Sequence, residues 1–390
     1  MSKRLVVLLL GTSQTLAWAS SYYIPAILAG EMARDLGVET STIFVAFSCA
    51  MLLTAFLGPR VGRSIDQYGG RRVLLASNLV FILGLAMLAL AQGPAMLFAA
   101  WLVLGLAMAM GLYDAGFATL AGLYGKEARS AITGITLIAG FASTVGWPLS
   151  GIMQAEFGWR GACWGWALIH LALAMPLNLL LPRGTQRAAP AAPSVPATAV
   201  AARETRRTAI LLAFVFASGG FAAAALAAHL PVLLVAAGAT PAAAIAAGAL
   251  MGPAQVAARV LEFTLLRRAH PLLSAKLAQV THPIGAAILL IFGAPFAAVF
   301  VLLHGAGNGV NTIVRGTLPL AIFGPAGYGA RQGLIVAPAR FLGALAPALF
   351  GFVVAGYGAH ALWFTAGLSL AAFAALFMLR VAPESPAAPR

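Results

Sequence analysis

The sequence is poor in charged residues, and acidic residues are the scarcest. Of its 390 residues 9% are charged, and the acidic ones number ten against 24 lysines and arginines. Because soluble domains carry about 25% charged residues, this composition excludes an ordinary soluble fold. Hydrophobic residues make up 61% of the chain, and apolar runs of about 20 residues, enough to cross a bilayer, recur from end to end. The composition therefore indicates a polytopic membrane protein.

Cysteine is also scarce, and several site motifs are missing. The two cysteines, Cys49 and Cys163, lie in predicted spans and offer neither a disulfide framework nor metal-ligand spacing. The sequence contains no Gly-x-x-x-x-Gly-Lys-Ser/Thr motif, the phosphate-binding signature of many ATPases. No nucleophile–base constellation stands in the loops. We therefore predict no metal, no cofactor and no enzymatic activity, and we expect an ion or solute gradient to supply energy.

The apolar runs predict twelve membrane-spanning helices. The alternating pattern of a membrane β-barrel is absent, and Ala, Leu and Gly dominate, so the spans are helical. Residues 183–207 are rich in proline and arginine and predict a linker between two six-helix halves, 1–182 and 208–390. The predicted spans are 5–28, 41–59, 73–92, 95–122, 131–153, 161–182, 208–236, 240–258, 273–293, 295–322, 333–355 and 360–380.

The net charge of +14 does not indicate nucleic-acid binding, because the cations are spread over alternate loops and form no single patch. Those loops hold Lys3, Arg4, Arg60–Arg72, Lys126, Arg129, the 183–207 linker, Arg267, Arg268, Arg331 and Arg390. Positive loops stay on the cytoplasmic side. We therefore predict a protein of the cytoplasmic (inner) membrane with both termini in the cytoplasm.

The two halves repeat short patterns about 200 residues apart, which indicates a duplicated fold. The matched pairs are Gly58-Pro59 with Gly252-Pro253, Tyr23-Ile-Pro25 with His229-Leu-Pro231, Pro148-Leu-Ser-Gly151 with Pro347-Ala-Leu-Phe-Gly351, and Phe157-Gly158 with Tyr357-Gly358. The loop after Gly58 carries Arg63 and Asp66, and the stretch after Gly252 carries Arg259 and Glu262 at similar offsets.

The loop between spans 2 and 3 reads Gly62-x-x-x-Asp66-x-x-Gly69-x-Arg71-Arg72. With twelve spans in two halves and a basic linker, it resembles the major facilitator superfamily of secondary transporters over the whole chain. The resemblance implies that the aspartate and arginines of the loop form a gating charge relay that stabilises the outward-facing state. The loop departs from the family pattern at Gln67, where a cation is common.

Gly146-Trp-Pro148-Leu-Ser-Gly151 in span 5 resembles part of the proline–glycine motif of proton-driven exporters. That resemblance adds Pro148 to the gating residues. The alternative is a kink with close helix contact, because proline leaves a backbone carbonyl unpaired and glycine permits approach.

Charges inside the spans are candidate functional residues, because each is costly unless it is paired or lines a cavity. Asp114 lies near the middle of span 4 and is predicted to couple protons, or else to pair with a buried arginine. Arg315 lies in the equivalent span 10 and is predicted to bind an anion, since a guanidinium matches a carboxylate in shape, or else to form a static pair with Asp114. Arg340 in span 11 is either a second anion contact or a side chain that reaches the cytoplasmic surface.

Two polar stripes at helical spacing extend this candidate site. Asn308 and Asn311 lie on the face of span 10 that carries Arg315. Gln14, Trp18 and Tyr22 repeat every four residues in span 1 and either line the substrate cavity or pack against span 7. Isolated histidines within spans, such as His170, His229 and His282, are more typical of packing than of proton transfer.

The predicted function is secondary active transport of a small solute, most simply a small organic anion, by alternating access and coupled to a proton gradient. One alternative is a proton-antiport exporter of toxic or drug-like compounds, favoured by the Pro148 motif and an alanine-rich interior. An alternative of another class is a non-transporting polytopic membrane sensor, although the predicted loops offer no signalling domain. Monomer is the expected state, with the bilayer and the solute as partners.

Overall fold

The computed structural model describes residues 1–183 and 199–379, and within these residues the chain forms helices and turns without strands. The helices of the first range are α1 (Lys3–Ala19), α2 (Ile24–Asp35), α3 (Thr40–Tyr68), α4 (Gly70–Ala89), α5 (Pro94–Gly111), α6 (Tyr113–Tyr124), α7 (Ala128–Ile138), α8 (Ala142–Ile169) and α9 (Met175–Leu179). We call this range the N-terminal half.

The second range, the C-terminal half, is also helical. Its helices are α10 (Ala199–Ala236), α11 (Pro241–Ala249), α12 (Met251–Leu265), α13 (Pro271–Phe292), α14 (Ala297–Phe323), α15 (Tyr328–Tyr357) and α16 (Leu362–Phe377). The helix α10 begins inside the segment predicted as a linker, so its residues 199–207 are helical rather than extended. Residues 184–198 of that linker lie outside the described residues.

Eight stretches of the described residues are long and apolar enough to cross a membrane. Two of them exceed one crossing: Pro94–Leu179 has 86 residues and Tyr328–Phe377 has 50. Left-handed glycines interrupt these stretches at Gly125, Gly158 and Gly358. Each of these glycines lies between two predicted spans, so the breaks fall where the sequence predicts the chain to leave the membrane. The all-α polytopic fold predicted from composition is confirmed.

The first predicted span, 5–28, is two helices, because the chain turns at Ser20–Tyr23 between α1 and α2. The fourth, 95–122, is likewise divided, since Leu112 adopts an extended conformation (φ −88°, ψ −171°) between α5 and α6. Its neighbour Gly111 packs so closely on Phe81 that an added Cβ would lie 2.7 Å from the ring. The break in α5–α6 places the next residues, Tyr113 and Asp114, at a helix N-terminus.

The two halves share a hydrophobic core on one side. The side bearing Lys3, Arg60, Arg72, Lys126 and Arg267 is called the basic face below. One apolar cluster at this face joins N-terminal residues such as Val6, Leu74 and Ile132 to Leu320 and Tyr328 of the C-terminal half. Other clusters stay within one half. The halves therefore pack together on the side of the basic face.

A pair of glycine motifs makes the closest contact between the halves. Gly58 and Gly62 of α3 meet Gly333 and Gly329 of α15, in antiparallel register. A Cβ on Gly333 would lie 2.6 Å from the carbonyl of Gly58, and one on Gly62 would overlap the carbonyl of Gly329. Small residues spaced by four let helix backbones approach in this way. The two helices can approach this closely because Gly62, Gly329 and Gly333 lack side chains, since a Cβ on each would clash with the backbone of the other helix.

Candidate functional site

The break before α6 prepares the site around Asp114. With Leu112 extended, the amide of Ala115 bonds the Leu112 carbonyl, and the Gly111 carbonyl instead accepts a hydrogen bond from Gln14 Nε2 at 2.6 Å. Asp114 lies in the first turn of α6, where the helix dipole favours negative charge. Interrupted helices are a recurrent feature of transporter binding sites.

Asp114 is the centre of a three-residue ion cluster that joins the halves. Its Oδ2 accepts a hydrogen bond from Arg315 Nη2 at 3.1 Å and a second one from Arg340 Nη2. Arg340 Nη1 also donates to the carbonyl of Thr54 in α3 at 2.7 Å. The structure therefore joins Arg340 to Asp114 and Arg315, rather than directing it to the cytoplasmic surface.

The cluster has two cations for one anion, and its members differ in exposure. The side chains of Asp114 and Arg340 are 13% and 12% exposed, whereas that of Arg315 is 34% exposed. A buried charge needs compensation from partners. Asp114 compensates one guanidinium, so the group keeps a net positive charge that a bound anion would neutralise, and Arg315 is the more accessible of its two cations.

Aromatic side chains border the cluster on the N-terminal side. Trp18 lies 5.0 Å from Tyr113, the residue before Asp114, and 5.1 Å from Tyr22, measured between ring centroids. Tyr113 in turn stacks on Phe117. Trp18 is half-buried and Tyr22 is exposed. Gln14 and Trp18 of the predicted stripe therefore lie beside Asp114, whereas Tyr22 lies in the turn after α1 and contacts Trp18.

Asn308 and Asn311 remain on the face of the continuous helix α14 that carries Arg315. They line a cavity of about 20 Å³ within the C-terminal half, together with Gln279, His282 and His304. This volume suffices for about one water molecule. The His282 and His304 rings meet at 3.0 Å between their Nδ1 atoms. The structure thus separates a small polar cavity from the Asp114 cluster along the same helix.

The loop residues implied as a gate contact the other half through backbone groups. Asp66 accepts hydrogen bonds from the amides of Gly329 and Ala330, at 3.0 and 2.9 Å, at the start of α15. The carboxylate therefore caps a helix of the C-terminal half, where the unpaired amides and the dipole favour an anion.

The remaining gating candidates surround this cap or lie in span 5. Gly69 has φ +84° and joins α3 directly to α4, a conformation that glycine adopts without strain. Arg71 and Arg72 follow in the first turn of α4. Pro148 lies within α8, where the nearby Gly146 packs on Ala19 of α1.

Two further residues near the site, Arg259 and Gln332, were not predicted from the sequence. Arg259, which the repeat pattern matched only to Arg63 of the loop, is 6% exposed. Its side chain donates hydrogen bonds to the Gly309 carbonyl at 3.3 Å and, across the boundary between the halves, to the Thr136 carbonyl at 3.2 Å. Gln332 donates from Nε2 to the Arg315 carbonyl at 2.8 Å. The predicted span 240–258 ends one residue before Arg259, so the rule for charges inside spans did not apply to it, although α12 extends to Leu265. Gln332 is uncharged, so that rule does not apply to it either.

The described residues form a helical, multi-pass chain with a buried ion cluster between two halves, an arrangement expected of a membrane transporter. The family model of the Major Facilitator Superfamily matches residues 9–303. The chain belongs to this superfamily, whose members are secondary transporters of small solutes, and the resemblance seen in its loop motif is confirmed.

Solved structures agree with this fold. The human organic anion transporter MFSD10 (TETRAN) superposes with a TM-score of 0.73 at 17% identity, covering 96% of this chain and 100% of that one. FucP, a Major Facilitator Superfamily transporter in the outward conformation, has the same TM-score at 14% identity, with 96% and 99% covered. At these identities the similarity concerns the fold alone.

A curated relative from Thermoproteus tenax matches over a shorter stretch. It is described as an uncharacterized 38 kDa protein in the 23S RNA operon, and it is 30% identical over 166 residues. The match spans 42% of this chain and 43% of the relative, so less than half of that protein is covered.

Proposed function

We propose that this protein is a secondary active transporter of small organic anions that works by alternating access and is coupled to protons. The observation that carries the proposal is the ion cluster, in which one carboxylate, Asp114, faces two guanidinium groups, Arg315 and Arg340. The excess positive charge favours an anionic solute, and a guanidinium matches a carboxylate in geometry. A structural neighbour is described as an organic anion transporter, which agrees with this assignment.

The contacts between the halves support alternating access. They include the glycine contact of α3 with α15, the Asp66 cap, and the pair of Arg129 with Glu262 at 3.2 Å. These contacts lie toward the basic face, which the positive-inside rule assigns to the cytoplasm. The site is therefore closed toward the cytoplasm, and the solute reaches it from the opposite side. Transport requires these contacts to separate.

Proton coupling is assigned to Asp114. While both arginines donate to it, the carboxylate is compensated and has no need of a proton. When the halves separate, Arg315 and Arg340 move with the C-terminal half and Asp114 stays with the N-terminal half. A carboxylate left in an apolar span without a partner is costly, so protonation becomes favourable at that step. The proton thus replaces the arginines as the compensating charge.

Export of drug-like compounds by proton exchange is the second candidate. It draws support from Pro148 in α8 and from the aromatic group around Trp18 and Tyr113, which suits planar apolar solutes. Its expected substrates are lipophilic and neutral or cationic, so a transport screen separates it from the anion proposal.

The test is a thermal-shift screen of purified protein, followed by uptake into proteoliposomes with an imposed pH gradient. Labelled lactate, succinate and benzoate serve as anions, and a neutral sugar and a lipophilic cation serve as comparators. We expect at least one anion to be transported, and Arg315→Lys to weaken its transport at least tenfold. Arg267→Lys, a change of the same kind at an exposed loop arginine, is the control and leaves transport intact. Transport of the cation alone would contradict the proposal and support export.

A further inference from the structure

Five polar atoms around Asp114 are buried and lack hydrogen-bond partners. Three are acceptors and two are donors: Gln14 Oε1, Gln332 Oε1 and Asp114 Oδ1, then Trp18 Nε1 and Arg315 Nε. Buried polar groups are almost always paired in folded proteins, and each exception needs a reason. Five such groups around one ion cluster are explained if they make contacts with a bound solute.

These atoms belong to residues in one contiguous group. Gln14 and Trp18 are one turn apart on α1, and Gln14 bonds the carbonyl of Gly111, three residues before Asp114. Trp18 packs on Tyr113. Arg315 contacts Asp114 with its side chain and Gln332 with its carbonyl. These five atoms therefore surround the ion cluster, whereas the other four unpaired buried atoms of the described residues belong to Glu31, Trp101, Asn178 and Ser218.

The hydrogen-bond network decides which unpaired atoms are acceptors. The amides of Gln14 and Gln332 each donate from Nε2 to a backbone carbonyl, at 2.6 and 2.8 Å. Reversing either amide would set its oxygen against that carbonyl oxygen, so both Oε1 atoms are the free groups. Asp114 receives both arginines on Oδ2, which leaves Oδ1 as the third acceptor. A simple carboxylate anion satisfies none of these three acceptors.

We propose that the ligand of this site is a carboxylate that also carries a hydroxyl or amino group on the neighbouring carbon. Its carboxylate accepts from Arg315 Nε and Trp18 Nε1, and its hydroxyl or amino hydrogens are donated to the oxygens of Gln14, Gln332 or Asp114. This inference rests on the proposed anion transport and narrows its substrate class. It also assigns Gln332 as a specificity-determining residue.

The exposure of the group indicates how such a ligand is engaged. The five atoms themselves are out of contact with water, whereas the Arg315 side chain is about a third exposed. The ligand therefore meets Arg315 first, and the remaining contacts form as Trp18 and Arg315 close on it. Sites that hydrogen-bond a substrate hydroxyl discriminate strongly against the analogue without it, because their buried polar groups stay unpaired.

The test uses matched acids that differ at one position: propionate, lactate and alanine; succinate, malate and aspartate; phenylpropionate, phenyllactate and phenylalanine. Their affinities for the purified protein are measured by calorimetry and their uptake in proteoliposomes. In at least one set, we expect the hydroxy or amino acid to bind at least tenfold more tightly than the plain acid. Comparing lactate with alanine, malate with aspartate and phenyllactate with phenylalanine shows whether the site prefers a hydroxyl or an amino group.

Gln14→Met and Gln332→Met remove the acceptors at similar volume, and each is expected to reduce this ratio severalfold while binding of the plain acid is retained. Gln154→Met, at a half-buried glutamine of α8 outside the group, leaves the ratio unchanged. If the plain and substituted acids of every set bind the wild type equally, the inference is wrong and anion transport stands. If none of the nine acids binds, the proposed function fails with it. The wild-type ratios decide the matter even if a variant does not fold.

Discussion

Asp114 and Arg315 are 201 positions apart in the chain, yet Oδ2 of the first and Nη2 of the second lie 3.1 Å apart across the boundary between the halves. Arg340 joins them from a third helix and adds a bond to the Thr54 carbonyl. One carboxylate therefore holds two helices of the opposite half. Its loss should affect both stability and transport.

The energetic coupling of Asp114 with Arg340 is the first prediction. Arg340→Gln removes a hydrogen bond between charged groups, which contributes about 1.5–3 kcal/mol, and leaves Arg315 on the carboxylate. We expect it to destabilise the protein in the background of Asp114 and much less in the background of Asp114→Asn. Unfolding free energies in detergent, arranged as a double-mutant cycle, measure this coupling. Additive effects of the two changes would contradict it.

Arg315 provides the comparison within the same cluster. Its side chain is nearly three times as exposed as that of Arg340, and exposed ion pairs contribute little, about 0–1 kcal/mol. Arg315→Gln should therefore cost less stability than Arg340→Gln while impairing anion transport more. The two measurements on the two variants separate a structural arginine from a binding one. Equal losses of stability and transport in both variants would show that this separation is wrong.

Closure of the basic face depends on Gly62. In Gly62→Ala the new methyl group would overlap the Gly329 carbonyl, so α3 and α15 cannot approach and the basic face opens. We expect faster labelling of cysteines introduced along this contact and a loss of transport. The control is Gly122→Ala, another helical glycine, because a Cβ there meets nothing within 4 Å. That variant should be as stable as the wild type or slightly more stable. Unchanged labelling in Gly62→Ala would contradict the prediction.

Asp66 acts on the same contact through charge. Asp66→Asn keeps an oxygen for the amides of Gly329 or Ala330 but loses the negative charge, and Asp66→Ala loses both. A charge at a helix N-terminus contributes about 0.3–1 kcal/mol. We therefore expect labelling of the basic face to rise modestly in Asp66→Asn and further in Asp66→Ala. An Asn variant as open as the Ala variant would mean that the charge alone matters.

Proton coupling at Asp114 is tested by Asp114→Asn. The amide cannot take up a proton, so uptake driven by a pH gradient should be lost. Exchange of labelled for unlabelled anion across the membrane needs no net proton movement and should remain measurable. Uptake in the variant that still follows the pH gradient would exclude Asp114 as the coupling residue and leave the anion assignment unaffected.

Much of the candidate site was visible in the sequence because charge is so costly inside a membrane. Asp114, Arg315 and Arg340 were found by that rule. Helical spacing likewise placed Gln14 and Trp18 on one face, and both lie beside the cluster, whereas Tyr22 lies in the turn that follows α1. The same spacing put Asn308 and Asn311 on the face of Arg315, and the structure adds His304 and Gln279 as their neighbours. Periodicity groups residues of one helix and does not say which neighbour they meet.

The sequence by itself determined that this is a helical membrane protein, which loops carry the cations, and that the loop at Gly62–Arg72 belongs to the Major Facilitator Superfamily. These properties depend on hydrophobic length and local composition, which any stretch of chain displays on its own. Only the tertiary structure decided that Arg340 shares Asp114 with Arg315 and that Gly62 faces Gly329. Such pairings join helices hundreds of residues apart, and they follow from how backbones and side chains fit across the boundary between the halves.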